Sequence, residues 1–138
     1  MTYNWTNNTI LVAEDDPINF KYLQLLLEKK TKCNILWAKN GRQAYNKIVN
    51  NTEIDMVLLD LQLPEMNGLK VLTEVRIVNH QIPIIMQTAN SWNNEEEECI
   101  LAGCNGFYTK PLNIDALFKH MNDCIKKYTA IKSTSELL

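Results

Sequence analysis

Apolar residues along this chain alternate between two rhythms. Five short runs, around Ile10–Ala13, Ile35–Ala38, Met56–Leu59, Ile84–Met86 and Phe107–Tyr108, are too brief for helices and are bounded by polar or turn residues, as buried strands are. Between them lie stretches with apolar residues at helical spacing. Asp16-Pro17 reads as an N-cap and first-turn proline opening a helix to about Lys29, with Ile18, Tyr22, Leu25 and Leu26 facing the core. Asn40-Gly41 opens a second helix to about Val49, with Ala44 and Ile48 inward. A third, from about Gly68 to Val78, places Val71, Leu72, Val75 and Val78 on one stripe. Ser91 is expected to cap a fourth that carries Glu95 to Glu98, is weakly periodic, and ends at Gly103; Trp92 would cover the rim near its start. Asn113 caps a last helix to about Lys127, with Ile114, Leu117, Phe118, Met121 and Ile125 at helical spacing.

Five alternating strand and helix units predict an α/β fold: a doubly wound five-stranded parallel sheet flanked by five helices. In the strand order 2-1-3-4-5 the crevice lies between strands 1 and 3. The domain is expected to span residues 10–128, with a frayed N-terminus at 1–9 and a C-terminal tail at 129–138. A length of 138 residues suits one domain with a real core. The net charge of -2 offers no bulk attraction to nucleic acid or anionic lipid, so partners must be recognised locally. No apolar run approaches a membrane span, and residues 1–9 carry no basic segment or apolar stretch of the secretory kind. A cytoplasmic location with no membrane contact is the expectation. The four cysteines show no metal-ligand spacing, and His80 and His120 are not paired, so reduced thiols are expected. The N-x-[ST] matches at Asn4, Asn7 and Asn50 are read as chance.

Chemistry gathers at the strand ends. Strand 1 stops at Glu14-Asp15-Asp16, strand 3 at Asp60, strand 4 at Thr88, and strand 5 at Lys110-Pro111. One polar residue at a strand end usually marks only the end of the strand; four strands delivering matching equipment to one edge need another explanation. With Asp16 used as a helix cap, Glu14, Asp15 and Asp60 are three carboxylates at adjacent ends. Unit charges about 4 Å apart repel by about 4 kcal/mol at an effective dielectric near 20, so the cluster calls for a proton or a cation. An all-oxygen set without His or Cys suits Mg2+. Asp is a known nucleophile toward phosphoryl groups, and the metal, Lys110 and Thr88 would neutralise the transferred charge.

The segments 10–16 (Ile-Leu-Val-Ala-Glu-Asp-Asp), 58–68 (Leu-Leu-Asp-Leu-Gln-Leu-Pro-Glu-Met-Asn-Gly), Thr88-Ala89, and 102–111 (Ala-Gly-Cys-Asn-Gly-Phe-Tyr-Thr-Lys-Pro) stand in order along the chain. Together they resemble the receiver domains of two-component response regulators, a flavodoxin-like fold, over Ile10 to Lys127. The resemblance implies that Asp60 accepts a phosphoryl group from a phosphohistidine on a sensor histidine kinase or histidine phosphotransfer domain. It implies Mg2+ held by Glu14, Asp15, Asp60 and the Gln62 carbonyl, with Thr88 and Lys110 binding the phosphoryl group. Phe107 matches the aromatic that turns inward with Thr88, and Lys110-Pro111 matches a cis bond.

Glu14 stands where many members carry Asp, Phe107 lacks the hydroxyl of the frequent Tyr, and Gln62 and Asn90 occupy positions that tune dephosphorylation. The resemblance further implies an output face built from helix 4, strand 5 and helix 5, acting on a downstream protein or attached domain. A phosphorylation-dependent dimer is among the implied assemblies. The domain alone is not expected to be an enzyme beyond accepting and losing its phosphoryl group. A receiver within a hybrid sensor kinase and a stand-alone regulator are both consistent with the sequence. Rival readings are an Asp-nucleophile phosphatase, which wants an acid where Gln62 stands, a flavin module, and a degenerate receiver that takes no phosphate.

Overall fold

The computed structural model describes residues 2–89 and 94–137. Its elements run β1 (Thr9–Ala13), α1 (Pro17–Thr31), β2 (Asn34–Ala38), α2 (Gly41–Asn50), β3 (Ile54–Asp60), α3 (Gly68–Val78), β4 (Ile84–Thr88), α4 (Glu95–Ala102), β5 (Gly106–Thr109) and α5 (Ile114–Leu137). The sheet is parallel throughout in the order β2-β1-β3-β4-β5, the doubly wound topology that the alternation predicts. Successive strand residues point to opposite faces, so each strand feeds two cores. Leu11, Val57, Leu59, Ile84 and Met86 meet α2, α3 and α4 through Ile48, Val71, Leu72 and Cys99. Ile10, Val12, Met56, Leu58 and Ile85 meet α1 and α5 through Leu23, Leu27, Phe118 and Met121. All of β3 is buried, as a central strand covered on both faces must be.

Helix α1 is rotated from its expected setting. Its buried stripe is Phe20, Leu23, Leu27 and Thr31; of the residues expected inward, Leu26 is half-buried against the core, while Ile18, Tyr22 and Leu25 are 79%, 55% and 55% exposed. Both sets have helical spacing, so periodicity could not choose between them. Phe20 lies flat on Trp37, with ring centroids 4.1 Å apart and planes 5° from parallel, and that stacking turns its side of the helix inward. The start is as expected: Asp16 accepts from the Ile18 N–H at 2.9 Å with Pro17 in the first turn. In α3 the buried stripe ends at Val75, and Val78, the final helical residue, is exposed. Helix α4 begins after Asn94, and the roles expected of Asn90, Ser91 and Trp92 lie outside the described residues. Gly103 closes α4 at φ 104°, a left-handed cap suited to glycine.

Both chain ends depart from the frayed segments expected of them. The N–H groups of Tyr3 and Trp5 donate to the carbonyls of Lys30 and Thr31 at 2.7 and 3.0 Å. Trp5 is buried, stacks on Phe118 and donates its indole N–H to Asn122. Two aromatics, Tyr3 and Trp5, in a polar stretch are too few to set a periodicity that would reveal this. Helix α5 continues past Lys127 to Leu137, with Tyr128 buried and Lys132 paired to the buried Asp55 at 2.8 Å. Asp55 also accepts from the Thr9 N–H at 2.9 Å, so one carboxylate ties the start of β1 to the far end of α5. Among the described residues, no helix is long and apolar enough to cross a membrane.

Candidate functional site

The carboxyl end of the sheet is where the chemistry converges. Beyond β1, the Glu14 N–H donates to the Ala38 carbonyl at 3.0 Å, and the Trp37 indole donates to the Glu14 carbonyl at 2.7 Å. These bonds hold Glu14 against the sheet, leaving it 1% exposed, whereas Asp15 faces solvent. Asp60 ends β3 and is also buried; its Oδ1 accepts from the Gln62 N–H at 2.9 Å. Gly68 permits the tight return of the loop: its N–H donates to the Leu61 carbonyl, and an added Cβ would stand 2.3 Å from the Asp60 carbonyl oxygen. Asn67 then caps α3 through the Lys70 N–H.

Lys110 reaches in from the other side. Its N–H donates to the Thr88 carbonyl at 2.8 Å, its peptide bond to Pro111 is cis, and its Nζ lies 2.9 Å from Glu14 Oε1 and 3.4 Å from Asp60 Oδ2. Glu14, Asp15 and Asp60 each bring a carboxylate oxygen within 4.8 Å of the others. Three carboxylates therefore face one ammonium, which leaves unbalanced negative charge. Burial pushes the Glu14 carboxyl above its ordinary range; the hydrogen bond from Lys110 opposes this, and the Asp60 charge adds to it. Burial works against the Lys110 ammonium, yet its bond to Glu14 and the charges of Asp60 and Glu14 outweigh burial and raise its pKa.

The donor set fits Mg2+: carboxylate oxygens only, one of them at the solvent edge, with excess negative charge to neutralise. Gln62 is exposed and lies with Asp15, Asn67, Glu95 and Glu98 along an open groove of about 600 Å3 beside the cluster. Thr88 is fully buried at the end of β4, in register with Thr109 of β5. Phe107 pairs with Met86 and is half-buried against the core shared with α2, α3 and α4, less enclosed than a plain core aromatic.

Sequence reading passed over Gln87. It is 2% exposed, and among the described residues neither atom of its side-chain amide has a hydrogen-bond partner. A buried polar group left unpaired costs about 1–3 kcal/mol. A polar residue after Ile84-Ile85-Met86, inside a buried strand, was the available signal.

The charge balance gives a pH test. The folded-state pKa of Lys110 lies above its ordinary 10.5, so its bridges stabilise the fold fully below that ordinary value and are lost as pH rises through the raised one. Glu14 acts oppositely, because its folded carboxyl keeps a proton more readily than in the unfolded chain, and ionising it costs stability as pH rises from acid. Urea unfolding of the metal-free protein is expected to show wild type more stable than Lys110→Met at neutral pH, with the difference shrinking at strongly alkaline pH. A pH-independent difference would assign the effect of Lys110 to its packing.

The family model described as the response regulator receiver domain matches residues 10–122. Hybrid signal transduction histidine kinase H of Dictyostelium discoideum is 35% identical over 115 residues, covering 78% of this chain and 8% of that protein. Transcriptional regulatory protein ZraR of Escherichia coli is 35% identical over 111 residues, covering 80% of this chain and 25% of the regulator. This chain thus spans a small part of the relatives it matches. Among solved structures, the receiver domain of the Pseudomonas aeruginosa sensor histidine kinase PA1611, with a magnesium ion coordinated in its active site cleft, has a TM-score of 0.78 and 27% identity. That match covers 87% of this chain and 98% of the other. The receiver domain of Saccharomyces cerevisiae Ssk1, solved together with the histidine phosphotransfer protein Ypd1, has a TM-score of 0.71 and 31% identity over 82% of this chain and 85% of that one. With a family match over most of its length and the expected sheet order, the chain belongs to the response regulator receiver domains of two-component and phosphorelay signalling.

Proposed function

We propose that this receiver accepts a phosphoryl group on Asp60 from a phosphohistidine and uses the modification to change which surface it presents. The observation that carries the reading is the placement of Asp60: a buried carboxylate at the end of the central strand, between two further acids and one lysine. Asp60 Oδ1 is held by the Gln62 N–H, leaving Oδ2, the oxygen toward Lys110, to attack phosphorus. The Oδ2–P bond forms as the P–N bond breaks, and the imidazole leaves with the electron pair. Mg2+ held by Glu14, Asp15, Asp60 and the Gln62 carbonyl would supply positive charge to the phosphoryl oxygens. Lys110 supplies the countercharge already present in the fold and, with the Thr88 hydroxyl, holds the transferred group. Thr88 follows Met86 by two on β4, and Phe107 is the register partner of Met86, so movement of Thr88 can be passed to the Phe107 ring by packing alone.

The switched surface is then α4, β5 and α5, where Ile100 and Leu101 stand 56% and 88% exposed and can be covered by a downstream protein, an attached domain or a second copy. The phosphodonor is a sensor histidine kinase or histidine phosphotransfer domain, supported by the solved Ypd1–Ssk1 complex. Exposed Ile18, Tyr22 and Leu25 form one apolar stripe on the helix that starts beside the acids, a suitable seat for that donor. The Dictyostelium relatives favour a cytoplasmic hybrid sensor kinase as the parent, in which the kinase activity belongs to another part of the chain. Against a phosphatase, Gln62 carries no carboxyl proton to donate. Against a flavin module, the acids after β1 would repel a phosphate.

Incubation with acetyl phosphate and Mg2+ is expected to add one labile phosphoryl group, read by intact mass, with none on Asp60→Asn and none in chelator. The absence of an adduct on wild type from acetyl phosphate and from a phosphorylated histidine phosphotransfer domain would leave a degenerate receiver. Substituting Ile18, Tyr22 and Leu25 with Ser is expected to slow transfer from the phosphotransfer domain at least tenfold while leaving acetyl phosphate labelling unchanged. A rate from the phosphotransfer domain unchanged from wild type would place the donor elsewhere.

A further inference from the structure

Gln87 has a place in the site as well as in the strand. It is the register partner of Asp60, and its carbonyl accepts from the Leu61 N–H at 2.9 Å. Leu58 and Ile85, two residues before Asp60 and Gln87, both face the core shared with α1 and α5, so Asp60 and Gln87 point to that same layer. Tyr108 joins that layer too, and Lys110 follows it by two. The Lys110 backbone is bonded to Thr88 at the end of β4, while its ammonium lies at Asp60 of β3 and Glu14 beyond β1. The lysine stem must therefore cross β4, and Gln87 is the last residue of β4 to present its side chain on the face being crossed.

An ammonium has three donors. In this structure Glu14 takes one at 2.9 Å and Asp60 another at 3.4 Å. A cation on the acidic cluster competes for the same Glu14 oxygens, and Lys110 then loses its shorter bond. We propose that Gln87 is a positioning residue for Lys110: its buried carboxamide oxygen accepts from the ammonium when a cation engages Glu14, keeping the lysine at the phosphoryl-accepting side. The unpaired amide is the feature that points to a partner arriving from within the site. The proposal rests on Asp60 as phosphoacceptor for its consequence in rate, but not for the contact itself.

The test uses Gln87→Met, close in size and lacking the amide, with Lys110→Ala and the double variant. Metal-free urea unfolding should show Gln87→Met at least as stable as wild type, which separates a loss in rate from misfolding. Labelling by acetyl phosphate at saturating Mg2+ is expected to slow about fivefold to tenfold in Gln87→Met, while in the Lys110→Ala background the same substitution changes nothing further. Labelling within twofold of wild type, or a loss that simply multiplies that of Lys110→Ala, would reduce Gln87 to a core residue. If wild type takes no phosphoryl group, it is the proposed function that has failed, and the contact is still decided by NMR. Titration with Mg2+ alone should shift the Gln87 side-chain amide signals in wild type and leave them in place in Lys110→Ala. Signals that do not respond in wild type, or respond equally in both, would overturn the proposal.

Discussion

Three carboxylates at neighbouring strand ends share a single ammonium, and much of the surrounding architecture serves to keep that arrangement from relaxing. Left in water, like charges separate; here they cannot. Glu14 is bonded through its backbone to β2 and to the Trp37 indole, Asp60 is fixed by the central strand, and Lys110 is bonded to the end of β4. The parallel order places β1 beside β3, so the two acidic ends meet without any contact designed between their side chains. Stability is thereby given up locally in a form that a bound cation would restore. Such a site is poised toward binding rather than rest.

What the sequence made legible follows the strength of its physical signals. Strands buried on both faces with helices between them leave little freedom in sheet order, and Asp60, Thr88 and Lys110 could be located because each stands at or just past the end of a strand. Asp16 and Asn113 were readable as caps because a side-chain oxygen before a helix has few other uses, and the structure adds Asn40 and Asn67 in the same role. Helix α1 was misjudged because apolar residues surround much of it, and the choice of face depends on Trp37, distant in sequence. Trp5 and Lys132 were missed for a related reason: their partners, Phe118 and Asn122 for the first and Asp55 for the second, lie far along the chain. Gln87 illustrates the converse, since an unpaired group has no sequence pattern and only a folded environment shows that it lacks a partner.

The rotation of α1 has a functional side. It turns Phe20 onto Trp37, whose indole supports Glu14, and the same turn leaves Ile18, Tyr22 and Leu25 outward on the helix beside the acids. One packing choice thus both supports the site and exposes an apolar approach to it. At the opposite end, Arg76 of α3 donates to the carbonyl of Gly103 and to Asn105, whose side chain also receives the Ile84 N–H. The end of α4, the start of β4 and the entry to β5 are held together there, away from the site. The rearrangement proposed to follow phosphorylation of Asp60 would then have its freedom near the carboxyl ends of the strands, where Thr88 lies.

The most direct measure of this charge balance is the urea unfolding midpoint of the wild-type domain as a function of Mg2+ concentration at neutral pH. The midpoint is expected to rise with the logarithm of Mg2+ above the dissociation constant, as a ligand specific for the folded state requires. The rise should be absent in Asp15→Asn, whose metal-free midpoint should exceed that of wild type because a repelling charge is gone. A wild-type midpoint indifferent to Mg2+, with Asp15→Asn no more stable, would contradict the claim that these carboxylates are held in excess charge for a cation to relieve.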